Sequence, residues 1–429
     1  MKNIVVLVGE YKPYSSTNGN IADNLLQELK KVGYSITVIT RKNEYSLPKF
    51  EVIDEIPVYR NNDWNLIIHN YCLNKINKKK FFFKFVLQIK RIIFFIPKVF
   101  RIISISKHYT KKIEKTIAEI DKKEKIDVII PVSAPHEEVF AAMNFKKTHN
   151  NVKLLVYQLD RFSNEDALYP VKILKNKKVK RNIELELELL KECDNIFTQS
   201  QIVEHYKNNK IYNNYLKKVV KTEYPLVKNL KGEKREEEKK TIKVIYAGAL
   251  YKKLRDPSYI LKIMSTKIMR DSNINLYLYA FGDCQNLINN YCKTLKETIF
   301  NKGKLPHEKI VKEMQNADIL LSIGNNSVNQ IPSKVFEYLS ICKPIIHLYY
   351  SDQDVYLKYL KKYKYAICIK MDNDKIEENS KLLYEFCKKN IVQDIEYDMI
   401  EKQFKECTPG YVAKEFTRVI EIQKKGEDK

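Results

Sequence analysis

"NIVVLVGEYKPYSSTNGNIADNLLQELKKVGYSITVIT", residues 3–40, reads as strand, turn-rich loop, helix and second strand. Ile4–Val8 is an uninterrupted apolar run of strand length, and "YKPYSSTNGN" is crowded with turn formers. Residues 21–32 carry helical periodicity, Gly33 stops the helix, and Ile36–Thr40 is the next strand. Further strands are expected at Asp127–Pro131, Leu154–Gln158 and Asn195–Gln199, with helices between them. Strands alternating with helices build a parallel, doubly wound α/β sheet.

The alternation lapses in "LVKNLKGEKREEEKKTIK" (226–243), a charged run without apolar periodicity. It resumes with strands expected at Val244–Ala247, Leu276–Ala280, Ile319–Ile323, Ile345–Leu348 and Ala366–Ile369. The organisation expected is a domain over 1–230, a linker over 231–243, a second α/β domain over 244–405, and a last segment over 406–429. That segment holds a helix that can pack back on the first domain, and a polar tail. Thr408 can cap this helix and Pro409 can take its first position. A chain of 429 residues is long for one domain, and 44% apolar residues suffice for full cores.

The formal net charge is +24. Residues 71–120 hold 13 Lys/Arg and 2 Glu, a net of +11, so nearly half the surplus sits in one segment. Such concentration points to a local basic patch for an anionic partner. Within it, "KKKFFFKFVLQIKRIIFFIPKVFRII" (Lys78–Ile103) reads as an amphipathic helix. At about 100° per residue Lys80, Lys84, Lys90, Arg91, Lys98 and Arg101 share one arc, and Phe, Ile, Val and Leu fill most of the rest. Pro97 should bend or split the helix. The pattern suits a helix lying in an anionic membrane surface, or one packed on its own sheet with its cations toward water. A nucleic-acid module needs basic and aromatic residues on a recognition element, and none is visible. The eight cysteines have neither C-x-x-C nor zinc-like spacing and read as free thiols of a reducing cytosol. Ile4–Val8 is too short for a signal peptide, and no run of 18 uncharged apolar residues exists. Neither a Walker-A nor a G-x-G-x-x-G pattern occurs.

"NQIPSKVFEYLSICKPIIHL" (Asn329–Leu348) follows the expected strand "ADILLSIG" and the polar loop "NNSVNQ". A helix starting there sits at the carboxyl edge of a parallel sheet, where ligands bind. Pro332 suits the first helical turn, and the amides of Ser333 and Lys334 favour an anion. Val335, Phe336 and Leu339 form the packing stripe, leaving Ser333, Glu337 and Ser340 on the other side with Lys334 beside Glu337. A carboxylate there can take two hydrogen bonds from a ribose diol, and the same residues equally describe a capped surface helix. Lys252, Lys253 and Arg255 follow Gly248 directly after a strand, as phosphate ligands or as surface cations. His136 opens a helix after the strand at 127–131, placed either to polarise a hydroxyl or simply to start the helix. Asp160 and Arg161 follow the strand at 154–158, and Gly19 and Asn20 offer backbone N–H groups to a phosphate.

"NQIPSKVFEYLSICKPII" resembles the donor-site signature of GT-B glycosyltransferases of the retaining family 4 type. "VIYAGALYKKLRDPSYILKI" (Val244–Ile263) resembles the start of their second domain. "YAFGDC" and "NKGKLPHEKIVKEMQNADILLSIG" fit the elements between, and residues 3–40 are similar to their opening. The likeness is strongest to transferases of bacterial capsule and exopolysaccharide synthesis. It implies a GT-B α/β fold, two Rossmann-like doubly wound domains facing a central cleft. It also implies a retaining transfer of sugar from a nucleotide-diphosphate sugar to a polyprenyl-linked or oligosaccharide acceptor, with no metal and no other cofactor. The donor contacts implied are Glu337, Asn329, Gln330, Pro332, Ser333, Lys334, Gly248 and Gly19. His136, Arg255 and Lys253 would be catalytic, and Asp160 and His136 would face the acceptor. Asn329 stands where the family's E-x7-E motif has its first acid, and Cys342 where it has a glycine. The expected location is cytoplasmic, peripheral at the inner face of the plasma membrane. A nucleotide-sugar epimerase or a catalytically silent partner subunit of the same fold is the alternative, and a basic nucleic-acid-binding protein ranks below both.

Overall fold

The computed structural model describes residues 1–75, 79–100, 105–163, 174–233, 241–326, 333–390 and 393–422, with backbone alone at 80, 95 and 97–100. The chain divides into two compact units, Met1–Pro225 with Glu406–Lys429, and Leu226–Lys405.

The first unit is built on an eight-stranded sheet. Its strands are β1 (Asn3–Val8), β2 (Ser35–Lys42), β3 (Phe50–Ile53), β4 (Ile56–Asn62), β5 (Val128–Ser133), β6 (Lys153–Gln158), β7 (Asn195–Thr198) and β8 (Val219–Lys221). They lie in the order β3-β4-β2-β1-β5-β6-β7-β8. All pair in parallel except β3, which folds back antiparallel on β4. Continuous apolar strands such as Ile4–Val8 are buried on both faces because helices cover both sides. The first helix spans Thr17–Val32, with Ser16 accepting from the Gly19 amide and Gly33 closing it at φ 102°. The last helix, Pro409–Glu421, is capped by Thr408 and belongs to this unit. Its Phe416 stacks on Phe197 at 3.8 Å and meets Tyr157 edge-on at 5.3 Å. Lys153 Nζ donates to the Val419 carbonyl at 2.8 Å.

The second unit has a fully parallel six-stranded sheet: β9 (Ile242–Ala249), β10 (Ile274–Phe281), β11 (Ile299–Asn301), β12 (Ile319–Ile323), β13 (Ile345–Tyr349) and β14 (Ala366–Lys370). The order is β11-β10-β9-β12-β13-β14. In both sheets the order reverses once, between β1 and β5 and between β9 and β12. Such reversals open a crevice beyond the carboxyl ends of the strands.

The strands β3, β8 and β11, at sheet edges, and β4, inside the sheet between β3 and β2, have no counterpart among the expected elements. The charged run starting at 226 also differs from the expectation of an unpacked linker. Lys228 N–H donates to Ser340 Oγ at 3.0 Å and Leu230 N–H to the Ser340 carbonyl at 3.0 Å. Ser340 is therefore fully buried, not on a solvent-facing polar side. The helix spanning Lys80–Phe100 continues through Pro97 without a split. Cys342 has φ 58°, a left-handed conformation that explains why a glycine suits this position.

Candidate active site

In the second unit the candidate residues gather at the β9–β12 reversal. The helix Ser333–Ser340 buries Val335, Phe336, Tyr338 and Leu339 against the sheet. The Tyr338 hydroxyl lies 3.4 Å from the Ala247 amide, which sets the helix against the end of β9. This orientation lays the Lys334 stem across Gly248, where a Cβ would come within 2.9 Å of Lys334 Cε. Gly248 therefore permits a close approach that no side chain would allow. Lys334 Nζ reaches within 3.6 Å of Glu337 Oε2.

Glu337 is mostly shielded, and its other oxygen accepts from His307 Nε2 at 2.8 Å. Burial alone would raise its pKa, but the His307 hydrogen bond and the Lys334 charge outweigh this and hold it below the usual value. The hydrogen bond to Glu337 in turn raises the His307 pKa, against a smaller opposing effect of desolvation. Glu337 is thus an ionised carboxylate at neutral pH, flanked by two possible cations. Sequence reading missed His307, because nothing in the spacing of "GKLPHEK" to a carboxylate thirty residues later signals the contact.

After β9, Arg255 donates from Nε and Nη2 to Asn325 Oδ1, just beyond β12, at 3.0 and 2.6 Å. Its Nη1 lies 3.4 Å from the Ala249 carbonyl. These partners are all uncharged oxygens, and no carboxylate forms an ion pair with Arg255 among the described residues. Desolvation works to lower its pKa, yet neighbouring tyrosines, Tyr246 and Tyr356 foremost, hold it above the ordinary arginine value. A half-buried guanidinium that nothing neutralises is a seat for an anion. Lys253, two residues earlier, is exposed. Gly248, Lys334, Ser333, Glu337 and Arg255 are therefore brought to one sheet edge. Asn329, Gln330 and Pro332 lie outside the described residues.

In the first unit a cavity of about 390 Å³ opens at the β1–β5 reversal, lined by Glu10, Ser16, Thr17, Asn18, Arg41, Leu66, Ala134 and Pro135. Asn18 Nδ2 donates to the carbonyls of Ser133 and Ala134 at 3.2 and 3.0 Å and lies 3.4 Å from Asp160 Oδ2. Burial raises the Asp160 pKa, with hydrogen bonds from Asn18 and the Ala134 backbone opposing. The Arg41 guanidinium is consumed by Glu137, Glu138 and Asp63 at 2.8–3.0 Å.

His136 caps the helix Glu137–Thr148 without a side-chain bond and is buried, its ring edge-on to Phe162 at 4.6 Å. Desolvation lowers its pKa to about 4, so it is neutral at pH 7. It does not line the cavity. The Gly19 and Asn20 amides are both taken up in the first helical turn, by Ser16 Oγ at 3.2 Å and the Ser16 carbonyl at 3.0 Å. Gly19 is required for packing instead, since a Cβ would fall 2.0 Å from the Glu10 carbonyl. Among the described residues no group of three or more His, Cys, Asp or Glu is placed to hold a metal.

Solved structures share this arrangement of elements. A sucrose-phosphate synthase from Thermosynechococcus elongatus aligns with 98% of this chain and 98% of its own at TM-score 0.58 and 11% identity. A glycosyltransferase from Rickettsia africae ESF-5 aligns with 98% of this chain and 97% of its own at TM-score 0.58 and 12% identity. The fold is GT-B. The catalytic domain of starch synthase IV from Arabidopsis thaliana, bound to ADP and acarbose, aligns with 98% of both chains at TM-score 0.56 and 7% identity. No protein-family model matches the sequence, and no curated protein matches it.

Proposed function

We propose that the chain transfers a sugar from a nucleotide-diphosphate sugar to an acceptor hydroxyl. The observation that carries this reading is that Arg255, whose described partners are all uncharged, and the ionised Glu337 with Lys334 both stand on segments that follow the strands of one sheet reversal, β9 and β12. A diphosphate needs fixed cations, and a ribose diol needs a carboxylate that can accept twice. Arg255, Lys253 and Lys334 would neutralise the leaving diphosphate, the form of charge stabilisation that usually dominates such chemistry. Ser333, Gly248 and the loop with Asn329, Gln330 and Pro332 would complete the donor contacts. Gly19 would act only indirectly, by letting the first helix pack on the backbone of Glu10, which lines the first unit's cavity.

That cavity is our candidate acceptor seat, with Asp160 behind Asn18 of its lining. Glu10, Ser16, Thr17 and Asn18 offer polar groups to a sugar end beside the apolar Leu66, Ala134 and Pro135, in keeping with a lipid-linked or oligosaccharide acceptor of surface polysaccharide synthesis at the inner membrane face. His136, neutral and buried, would act only as a hydrogen-bonding group. Retention of configuration follows the family resemblance, with the leaving phosphate taking the acceptor's proton. Structures bound to a nucleotide or its sugar support the donor half of this reading: the starch synthase holds ADP, and a trehalose-6-phosphate protein from E. coli was solved with UDP-2-fluoro glucose.

A protein from Listeria monocytogenes named only by assignment as a UDP-N-acetylglucosamine 2-epimerase shares the fold at TM-score 0.53 and 10% identity, which keeps an epimerase reading in view. Product analysis separates the two. Incubation with a panel of nucleotide sugars should release a nucleoside diphosphate only when a saccharide or lipid-linked acceptor is present. Conversion of one nucleotide sugar to its epimer, without release, would replace transfer by epimerisation.

A further inference from the structure

Two neighbouring helices of the first unit, Trp64–Lys75 and Lys80–Phe100, leave a large apolar surface uncovered. On the second helix Phe83 is buried and meets Tyr71 of the first edge-on at 6.3 Å. Lys90 faces the same way, since its charge lowers the His69 pKa, alongside the larger effect of desolvation. At about 100° per residue, Phe81, Phe85, Ile89, Ile92 and Ile96 cluster on the opposite arc. All five are exposed, Phe81 at 90%, and Phe82 and Ile93 extend the arc. Exposed Lys84 and Arg91 border one edge of it.

The sequence expectation placed six cations on one face toward the partner. The described side chains divide differently: Lys90 turns to the neighbouring helix, while Lys84 and Arg91 form a rim beside an apolar face. Side chains at Lys80 and Lys98, and Arg101, lie outside the described residues. The first helix adds a stripe of its own. Trp64, Ile68 and Tyr71 recur at helical spacing, and all three are exposed. Tyr71 is the residue that touches Phe83, so this stripe adjoins the second helix.

A soluble helix buries its apolar stripe against its own core. Here the packed side is narrow and the widest apolar arc faces outward, an uncovered patch of the kind that marks an interaction surface. No helix among the described residues is long and apolar enough to cross a membrane. We infer that this helix pair seats on an anionic lipid surface, with Phe81, Phe85, Ile89, Ile92 and Ile96 inserted at the acyl boundary. Lys84 and Arg91 then lie at headgroup depth, where cations are attracted to anionic lipid. Trp64 and Tyr71 have the amphipathic rings that settle at the membrane–water interface. The contact is an insertion first and an electrostatic attraction second. It does not depend on the donor site and stands or falls separately from sugar transfer.

Trp64 is the single tryptophan of the chain, so its fluorescence reports on this surface alone. The full-length protein is mixed with phosphatidylcholine vesicles with and without phosphatidylglycerol, and read by flotation and Trp64 emission. Binding to anionic vesicles with a blue shift of Trp64, weakened but retained at high salt, is expected. The double substitution Phe85→Asp and Ile92→Asp, at exposed positions, should lower partitioning at least about tenfold. Lys84→Glu with Arg91→Glu should lower it about fivefold per cation and only on anionic vesicles. Unchanged flotation of the Phe85→Asp, Ile92→Asp protein with a native circular dichroism spectrum would overturn the proposal. So would a stable dimer in sedimentation equilibrium that this substitution dissociates, since the arc would then belong to a second copy.

Discussion

Replacing Arg255 with alanine removes a charge whose described partners are all uncharged oxygens. In the unliganded protein the loss is small: Asn325 Oδ1 forfeits donors at 3.0 and 2.6 Å, worth about 1 kcal/mol in a half-buried setting. With a diphosphate bound the loss is larger, because hydrogen bonds to charged groups contribute about 1.5–3 kcal/mol. That difference, about 0.5–2 kcal/mol, converts to a fall of about 2- to 30-fold in affinity for a nucleoside diphosphate. Isothermal titration calorimetry of wild-type and Arg255→Ala protein measures it, with the phosphate-free nucleoside as control. The nucleoside should bind both proteins equally weakly, and only the diphosphate should discriminate. Arg255→Lys, which keeps the charge but loses the planar fork, should fall between them. Equal diphosphate affinity in wild-type and Arg255→Ala protein would refute the assignment of Arg255 to the anion.

Glu337→Gln keeps the shape of the side chain but removes its charge. It should weaken nucleotide binding about tenfold while leaving the unfolding temperature nearly unchanged, as differential scanning calorimetry can show, because the exposed His307 limits its pair with Glu337 to under about 1 kcal/mol and Gln can still accept its hydrogen bond. As pH rises through the raised imidazolium pKa of His307, that pair's contribution is lost, and His307→Gln should flatten this trend in urea titrations. His136 behaves oppositely: its folded pKa of about 4 lies below the unfolded value of about 6.5, so the unfolded chain binds the extra proton between them. Stability should therefore fall by up to about 3 kcal/mol as pH drops from 6.5 to 4, and His136→Phe should remove that slope. Cys342→Gly relieves a left-handed conformation at the cost of a small buried thiol, and chemical denaturation should register a gain of about 0.5–1 kcal/mol.

Legibility in the sequence followed the strength of local signals. Buried parallel strands announce themselves as apolar runs, so β1, β2, β5, β6 and the core strands β9, β10, β12 and β13 were readable. Edge strands such as β8 and β11 are three residues long and half-exposed, with no periodicity to detect. The helix Ser333–Ser340 is legible because its stripe, Val335, Phe336 and Leu339, is a helical signature. Ser340 was misplaced because its cover, residues 226–230, looked like linker and reaches it only through tertiary hydrogen bonds. Arg255 was visible as a cation after a strand, but its lack of a carboxylate partner is a property of three dimensions. His307 was invisible for the same reason. On the basic helix, sequence showed the cations and the apolar residues but not which face was already packed, and Phe83 against Tyr71 decides that.

The central claim is a nucleoside diphosphate held at the second unit's sheet reversal. A thermal-shift panel of nucleoside diphosphates and nucleotide sugars tests it most directly, since a ligand at a hundred times its dissociation constant stabilises by about 2.7 kcal/mol. The account predicts a rise in unfolding temperature of a few degrees for at least one diphosphate, reduced in Glu337→Ala and Arg255→Ala proteins. No shift with any nucleoside diphosphate, or a shift that both substitutions leave intact, would contradict it.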